Sequence, residues 1–196
     1  MGKIFFLMGK SASGKDSIYE LLLSDKELDL TAYVGFTTRP MRAGEKNGVE
    51  YFFVTEEELA GFEAQGRLIE KRVYHTVYGD WIYGSADNGS VDLENKDYLY
   101  IGTLESFVEL RSYYGAEHVV PLYIETEDGI RLMRAIKREQ GQENPGYAEV
   151  CRRFLADSED FSEEKLQAAG IGQRFSNNGP PGECFEAVKK AILAEV

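Results

Sequence analysis

Lys3-Ile4-Phe5-Phe6-Leu7-Met8-Gly9-Lys10-Ser11-Ala12-Ser13-Gly14-Lys15-Asp16-Ser17 is the stretch that decides how this chain is read. Its apolar opening has no polar alternation, as a strand buried on both faces of a parallel sheet requires. The strand runs into Gly9 to Lys15, a match to G-x-x-x-x-G-K in which Asp16 stands where Ser or Thr is usual. Glycines at that spacing let consecutive backbone N–H groups converge on one point, onto which the next helix also opens. Lys15 adds a mobile positive charge. Gly9, Lys10, Ser11, Ala12, Ser13, Gly14, Lys15, Asp16 and Ser17 are therefore the candidate phosphate-binding loop. Ile18, Leu21 and Leu22 then recur at helical spacing, which completes a strand, loop and helix unit.

The rest of the chain extends this unit. Glu50 to Val54 reads as a strand, and Thr55 with Glu58 forms a capping-box signature for a helix to about Gly66. Arg67 to Tyr74 and Trp81 to Tyr83 read as short strands about a Tyr78-Gly79-Asp80 turn. Strand 98–101, helix 104–114 and strand 119–124 resume the β/α alternation of a parallel sheet. Two helical stretches, 128–140 and 147–169, flank the Gly- and Pro-containing segment 141–146, which suits a lid. A strand at 174–176 and a helix from about Gly182 to Glu195 close the chain. The expected fold class is α/β: a P-loop type parallel sheet flanked by helices, with a small α+β insertion and a helical lid.

At 196 residues, with 43% hydrophobic and 29% charged side chains, the chain suits one globular domain. Its 34 acidic against 22 basic residues give a net charge of −12, the wrong sign for a main partner that is a nucleic acid or an anionic membrane. An anionic small molecule must then be caught by a local basic cluster. Cys151 and Cys184 lie in no metal-ligand spacing and no apolar leader precedes the first motif, which points to a reducing, cytoplasmic home.

Such a cluster exists. In Thr37-Thr38-Arg39-Pro40-Met41-Arg42-Ala43-Gly44-Glu45-Lys46-Asn47-Gly48-Val49-Glu50-Tyr51, two arginines and a tyrosine share one loop. Guanidinium forks grip phosphate bidentately, and a phenol beside them can complete the shell of a monophosphate.

With this segment the sequence resembles the guanylate kinase family of nucleoside monophosphate kinases over nearly its whole length. The family pattern T-T-R-x-x-R-x-G-E-x-x-G-x-x-Y is intact, Tyr83-Gly84-Ser85 matches a later Y-G-S, and Ile69-Glu70 matches the base-reading glutamate. The resemblance implies that Arg39, Arg42, Tyr51 and Tyr83 hold the acceptor's phosphate while Glu70 and Ser85 face its base. It implies catalytic roles for Lys15 and for the lid arginines Arg134, Arg138 and Arg153, and places Asn177 near the nucleotide. It also implies ATP as donor with Mg²⁺, for which Asp16 is the candidate ligand, and nucleotide substrates as the only partners of a monomer or homodimer. The implied parts are a core of 1–32 and 96–196, an acceptor-binding insertion of about 33–88 and a lid of about 134–153. A kinase for another monophosphate and a non-catalytic phosphopeptide-binding module remain as alternatives.

Two departures concern the base. Gly35 stands where the family has a serine, and Tyr100-Ile101-Gly102 where it has two strand-end aspartates; Thr103 is a candidate replacement for one of those contacts. Ala12 also replaces a loop glycine.

Overall fold

A computed structural model describes residues 1–76 and 79–195. Strand β1 (Ile4–Met8) is buried along its whole length and lies at the centre of a five-stranded parallel sheet. The order is β2 (Thr31–Ala32), β7 (Tyr98–Ile101), β1, β8 (Val119–Glu125), β9 (Arg174–Ser176). Alternate side chains of a strand face opposite ways, and β1 uses both directions. Phe5 and Leu7 pack with Ile18 and Leu22 of α1 (Lys15–Ser24) and Val188 and Ile192 of α7 (Pro181–Leu193). Ile4, Phe6 and Met8 pack with Phe107 and Leu110 of α3 (Leu104–Tyr114).

The insertion is a separate four-stranded sheet ordered β4 (Phe52–Phe53), β3 (Phe36–Thr37), β6 (Gly79–Ala86), β5 (Leu68–Thr76), with α2 (Glu56–Ala64) beside it. The capping box at Thr55 and Glu58 is present as expected. β5 and β6 are longer than their sequence signal; of the expected turn, Gly79 and Asp80 belong to β6 and Tyr78 lies outside the described residues. Their antiparallel register sets Glu70 opposite Ser85 and Arg72 opposite Tyr83, with an irregularity between Leu68 and Glu70. An irregularity of that kind re-aims a side chain, here that of Glu70.

Helix α4 (Asp128–Gln140) has the bounds that periodicity gave it. The expected single helix 147–169 is instead α5 (Tyr147–Asp160) and α6 (Glu163–Ala168). The break is made by Phe161, which turns into the core and stacks on Tyr123 at 5.8 Å between ring centres. Burying an aromatic ring outweighs one more turn of helix. Among the described residues no helix is long and apolar enough to cross a membrane.

Candidate functional site

The loop after β1 is held from behind. Ser13 is fully buried, and its carbonyl accepts from Asn177 Nδ2 at 2.7 Å and from Thr126 Oγ1 at 3.1 Å. Gly14 opens α1 at φ 86°, and a Cβ there would lie 2.4 Å from Asn177 Nδ2, so only glycine meets both the backbone and the space. Ala12 adopts φ 60°, a left-handed conformation costing an L-residue about 1–2 kcal/mol, so the loop keeps a glycine's shape without the glycine. Lys15 is mostly buried, its Nζ 3.6 Å from the exposed Asp16 carboxylate, and Ser17 follows, exposed, in the first turn of α1.

Of the expected lid arginines, Arg134 donates to the Asn177 carbonyl at 3.0 Å, beside the loop. Arg138 and Arg153 are exposed and line, together with Ser11, a cleft between α4 and α5. Sequence reasoning passed over Arg131, the largest fully buried side chain. It donates to Asp128 Oδ1 at 2.7 and 3.1 Å, to the Ser11 carbonyl at 2.9 Å and to Asp157 Oδ2 at 3.2 Å, and it covers the Phe154 ring at 4.8 Å. Asp157 in turn accepts from the Ser11 N–H at 2.8 Å and faces its hydroxyl at 3.3 Å. One guanidinium thus joins the loop after β1 to α4 and α5. The only signal in the sequence was Asp128 three residues earlier, a spacing that surface pairs share.

The second cluster assembles around β3 and β6. Arg39 is buried; its Nε donates to Tyr83 Oη at 3.1 Å, and Nη1 and Nη2 hold Glu45 at 3.0 and 2.8 Å. That grip holds the Glu45 carboxyl below the usual carboxylate range. Most of the Arg39 fork is thus taken within the protein, whereas Arg42 is exposed on the same loop with its backbone N–H on Glu45. Tyr51 and Tyr83 meet edge to face at 5.6 Å. His75 is exposed on the hairpin and pairs with Asp80 at 2.7 Å.

Glu70 is buried at the floor of the insertion. Ser85 Oγ donates to its Oε1 at 3.3 Å, and Arg72 Nε lies 3.3 Å from Oε2, an ion pair without hydrogen-bond alignment. Burial pushes the Glu70 carboxyl up, while Arg72, Ser85 and Ser106 pull it down. The missing strand-end carboxylate has a steric reason: a Cβ at Gly102 would lie 2.5 Å from the fully buried Phe6 ring. Thr103 does not replace it, because its hydroxyl caps α3 by accepting from the Ser106 N–H at 3.2 Å and pairs with Ser106 Oγ at 3.0 Å.

A parallel sheet with a glycine-cornered loop at the end of its central strand, joined to a second sheet that carries arginines, tyrosines and a buried carboxylate, defines a P-loop α/β protein with an inserted second site. The family model for guanylate kinase matches residues 1–89. A guanylate kinase from Mycoplasma mobile is 33% identical over 213 residues, covering 100% of this chain and 94% of that protein. One from Malacoplasma penetrans is 44% identical over 69% of this chain and 68% of its own. A crystal structure of guanylate kinase from Anaplasma phagocytophilum has the same fold, with a TM-score of 0.63 at 22% identity over 99% of this chain and 86% of its own. The chain belongs to the guanylate kinase family.

Proposed function

We propose that this protein transfers the γ-phosphoryl group of ATP to GMP or dGMP, giving ADP and GDP or dGDP. The observation that carries the reading is the pairing of a buttressed G-x-x-x-x-G-K loop with a separate sheet on which Tyr83, held by Arg39, and Ser85, held against Glu70, lie two register positions apart. Guanine presents two donors on one edge, N1–H and the 2-amino group, which a carboxylate accepts together, whereas adenine presents an acceptor at N1. Glu70 is the group that reads this edge, with Ser85 beside it. Arg42, Tyr51 and Tyr83 take the acceptor's phosphate, and Arg39 acts largely by fixing Tyr83 and Glu45 in place. Residues 9–17 cradle the donor's phosphates, with Lys15 neutralising charge as the bond to the γ-phosphorus breaks and the acceptor oxygen bonds to it. Arg134, Arg138 and Arg153 close over the transferring group and exclude water. Phosphoryl transfer of this kind rests on positioning and charge neutralisation.

Asp16 and Ser17 offer a carboxylate and a hydroxyl on adjacent exposed positions, oxygen donors that suit a hard divalent ion. Among the described residues no group of three or more His, Cys, Asp or Glu side chains is arranged to hold a metal. Asp16, assisted by Ser17, would hold Mg²⁺, which would supply further neutralisation of the phosphate charge. Two unpaired cysteines, Cys151 and Cys184, suit a reducing, cytoplasmic setting.

A coupled ADP-release assay across GMP, dGMP, AMP, CMP, UMP and TMP tests the reading. The guanine nucleotides are expected to have the highest kcat/KM, and Lys15→Ala to lower turnover by about three orders of magnitude or more with the fold intact. A best acceptor with another base would refute the guanine assignment, and an active Lys15→Ala variant the kinase.

A further inference from the structure

The hydroxyl of Tyr100, on β7 of the main sheet, crosses into the insertion. It lies 2.8 Å from Ser85 Oγ, and a Cβ placed on Gly35 would come within 3.2 Å of it. The Gly84 carbonyl lies closer still to that Cβ position, at 2.8 Å, so Gly35 sits against both the backbone of β6 and the phenol. Proton counting gives the contact a direction. Ser85 has one hydroxyl proton and gives it to Glu70 Oε1, so toward Tyr100 its oxygen is an acceptor and the phenol is the donor. The result is a relay from Tyr100 through Ser85 to Glu70, in which each donated proton strengthens the next bond.

We propose that Tyr100 is a specificity-determining positioning residue of the acceptor site, its hydroxyl acting through Ser85 to hold the Glu70 carboxylate in the orientation that meets the acceptor's base. This rests on the reading of Glu70 as the base-recognition group. The groups facing Glu70 come from four elements: Arg72 on its own strand β5, Ser85 on β6, Ser106 on α3 and, behind Ser85, Tyr100 on β7. Burial works against the ionised carboxylate and these donors work for it, so removing the end of the relay moves Glu70 toward its protonated form. Protonated Glu70 keeps one acceptor but sets a donor against the base's second donor, and binding weakens.

The phenol ring has a second role that the test must leave alone. It packs on Phe6 at 5.1 Å and Tyr33 at 4.6 Å, contacts that Tyr100→Phe keeps. In that variant KM for GMP is expected to rise about three- to tenfold, the factor for one neutral hydrogen bond, with kcat and KM for ATP unchanged. The acid limb of kcat/KM for GMP should move to higher pH, a readout that a purely structural role would not shift. Ser85→Ala breaks the same relay without touching the ring cluster and should move KM and the acid limb the same way. Because the two hydroxyls form one chain, the double variant should lose no more than Ser85→Ala alone. A guanine-preferring enzyme whose KM and pH profile are indifferent to Tyr100→Phe, or whose two losses add in full, overturns the proposal while leaving the assigned function intact. Preference of the unaltered enzyme for another base removes the Glu70 reading, and this proposal with it.

Discussion

Arg131→Met removes the one guanidinium that joins the phosphate loop to α4 and α5, and its cost can be worked from the contacts. Asp128 is half exposed and regains water, so its loss counts for little. Asp157 has only 14% of its side chain exposed; it keeps its two contacts with Ser11 but loses its counter-charge, which costs about 1.5–3 kcal/mol. The Ser11 carbonyl loses a donor, worth about 1 kcal/mol. Methionine over Phe154 roughly replaces the lost cation–π contact of about 0.5–1 kcal/mol. The expected destabilisation is ~2.5–4 kcal/mol, near what breaking a buried ion pair costs. For a chain of this size that lowers Tm by about 5–15 °C. The pH dependence adds a second check. Arg131 holds the Asp128 carboxyl below its ordinary value, so the stability it lends is present above the ordinary carboxyl pKa and is lost as pH falls through the lowered folded value. That acid-side loss should flatten in the variant. Urea unfolding at several pH values measures both. A destabilisation under about 1 kcal/mol would refute the role given to Arg131.

Other expected outcomes follow from the same geometry. In Glu70→Gln, KM for GMP should rise by about tenfold or more, since bonds to a charged acceptor are worth about 1.5–3 kcal/mol. The folded state raises the Glu70 pKa, so the stability of its neutral form is present below the ordinary glutamate value and lost as pH rises through the raised one. The glutamine variant should therefore melt higher than the parent at neutral pH, and a lower melting temperature there would count against the burial argument. Arg42→Met should weaken acceptor binding by roughly 1.5–3 kcal/mol and leave ATP binding unchanged in calorimetric titration; equal losses would mean that the two sites are misassigned. Asp16→Ser should raise the Mg²⁺ concentration for half-maximal rate, and an unchanged requirement would reject Asp16 as a ligand.

Much of the frame was legible because it depends on local pattern. The apolar run 4–8, the glycine spacing 9–14 and the helix 128–140 each state their structure within a few residues. What escaped depends on partners far along the chain. Periodicity alone carries 147–169 as one helix, since only Tyr123 shows why Phe161 turns inward. Arg131, Arg134 and Arg138 share one helix, and no spacing says which is buried against Asp157. The fork of Arg39 reads as open until Glu45 is seen to fill it. The sequence singled out Glu70 and Ser85, which the fold brings together, but the hydroxyl behind them comes from another sheet, beside a glycine that looks in sequence like a simple loss.

The Ser13 carbonyl is bound by Thr126, 113 residues later, and by Asn177, 164 residues later. A chain emerging from the ribosome at about 5–20 residues per second makes its phosphate loop first and waits roughly 8–30 seconds for the groups that hold it. By residue 126 β1 already has both parallel neighbours, β7 and β8, and the loop has Thr126 behind it, but the second and shorter bond, from Asn177, is still missing. A nascent chain stalled before residue 174 should therefore bind no nucleotide, although every residue of the loop has long since been made. Competence to capture ATP arrives late in synthesis, when the last strand docks.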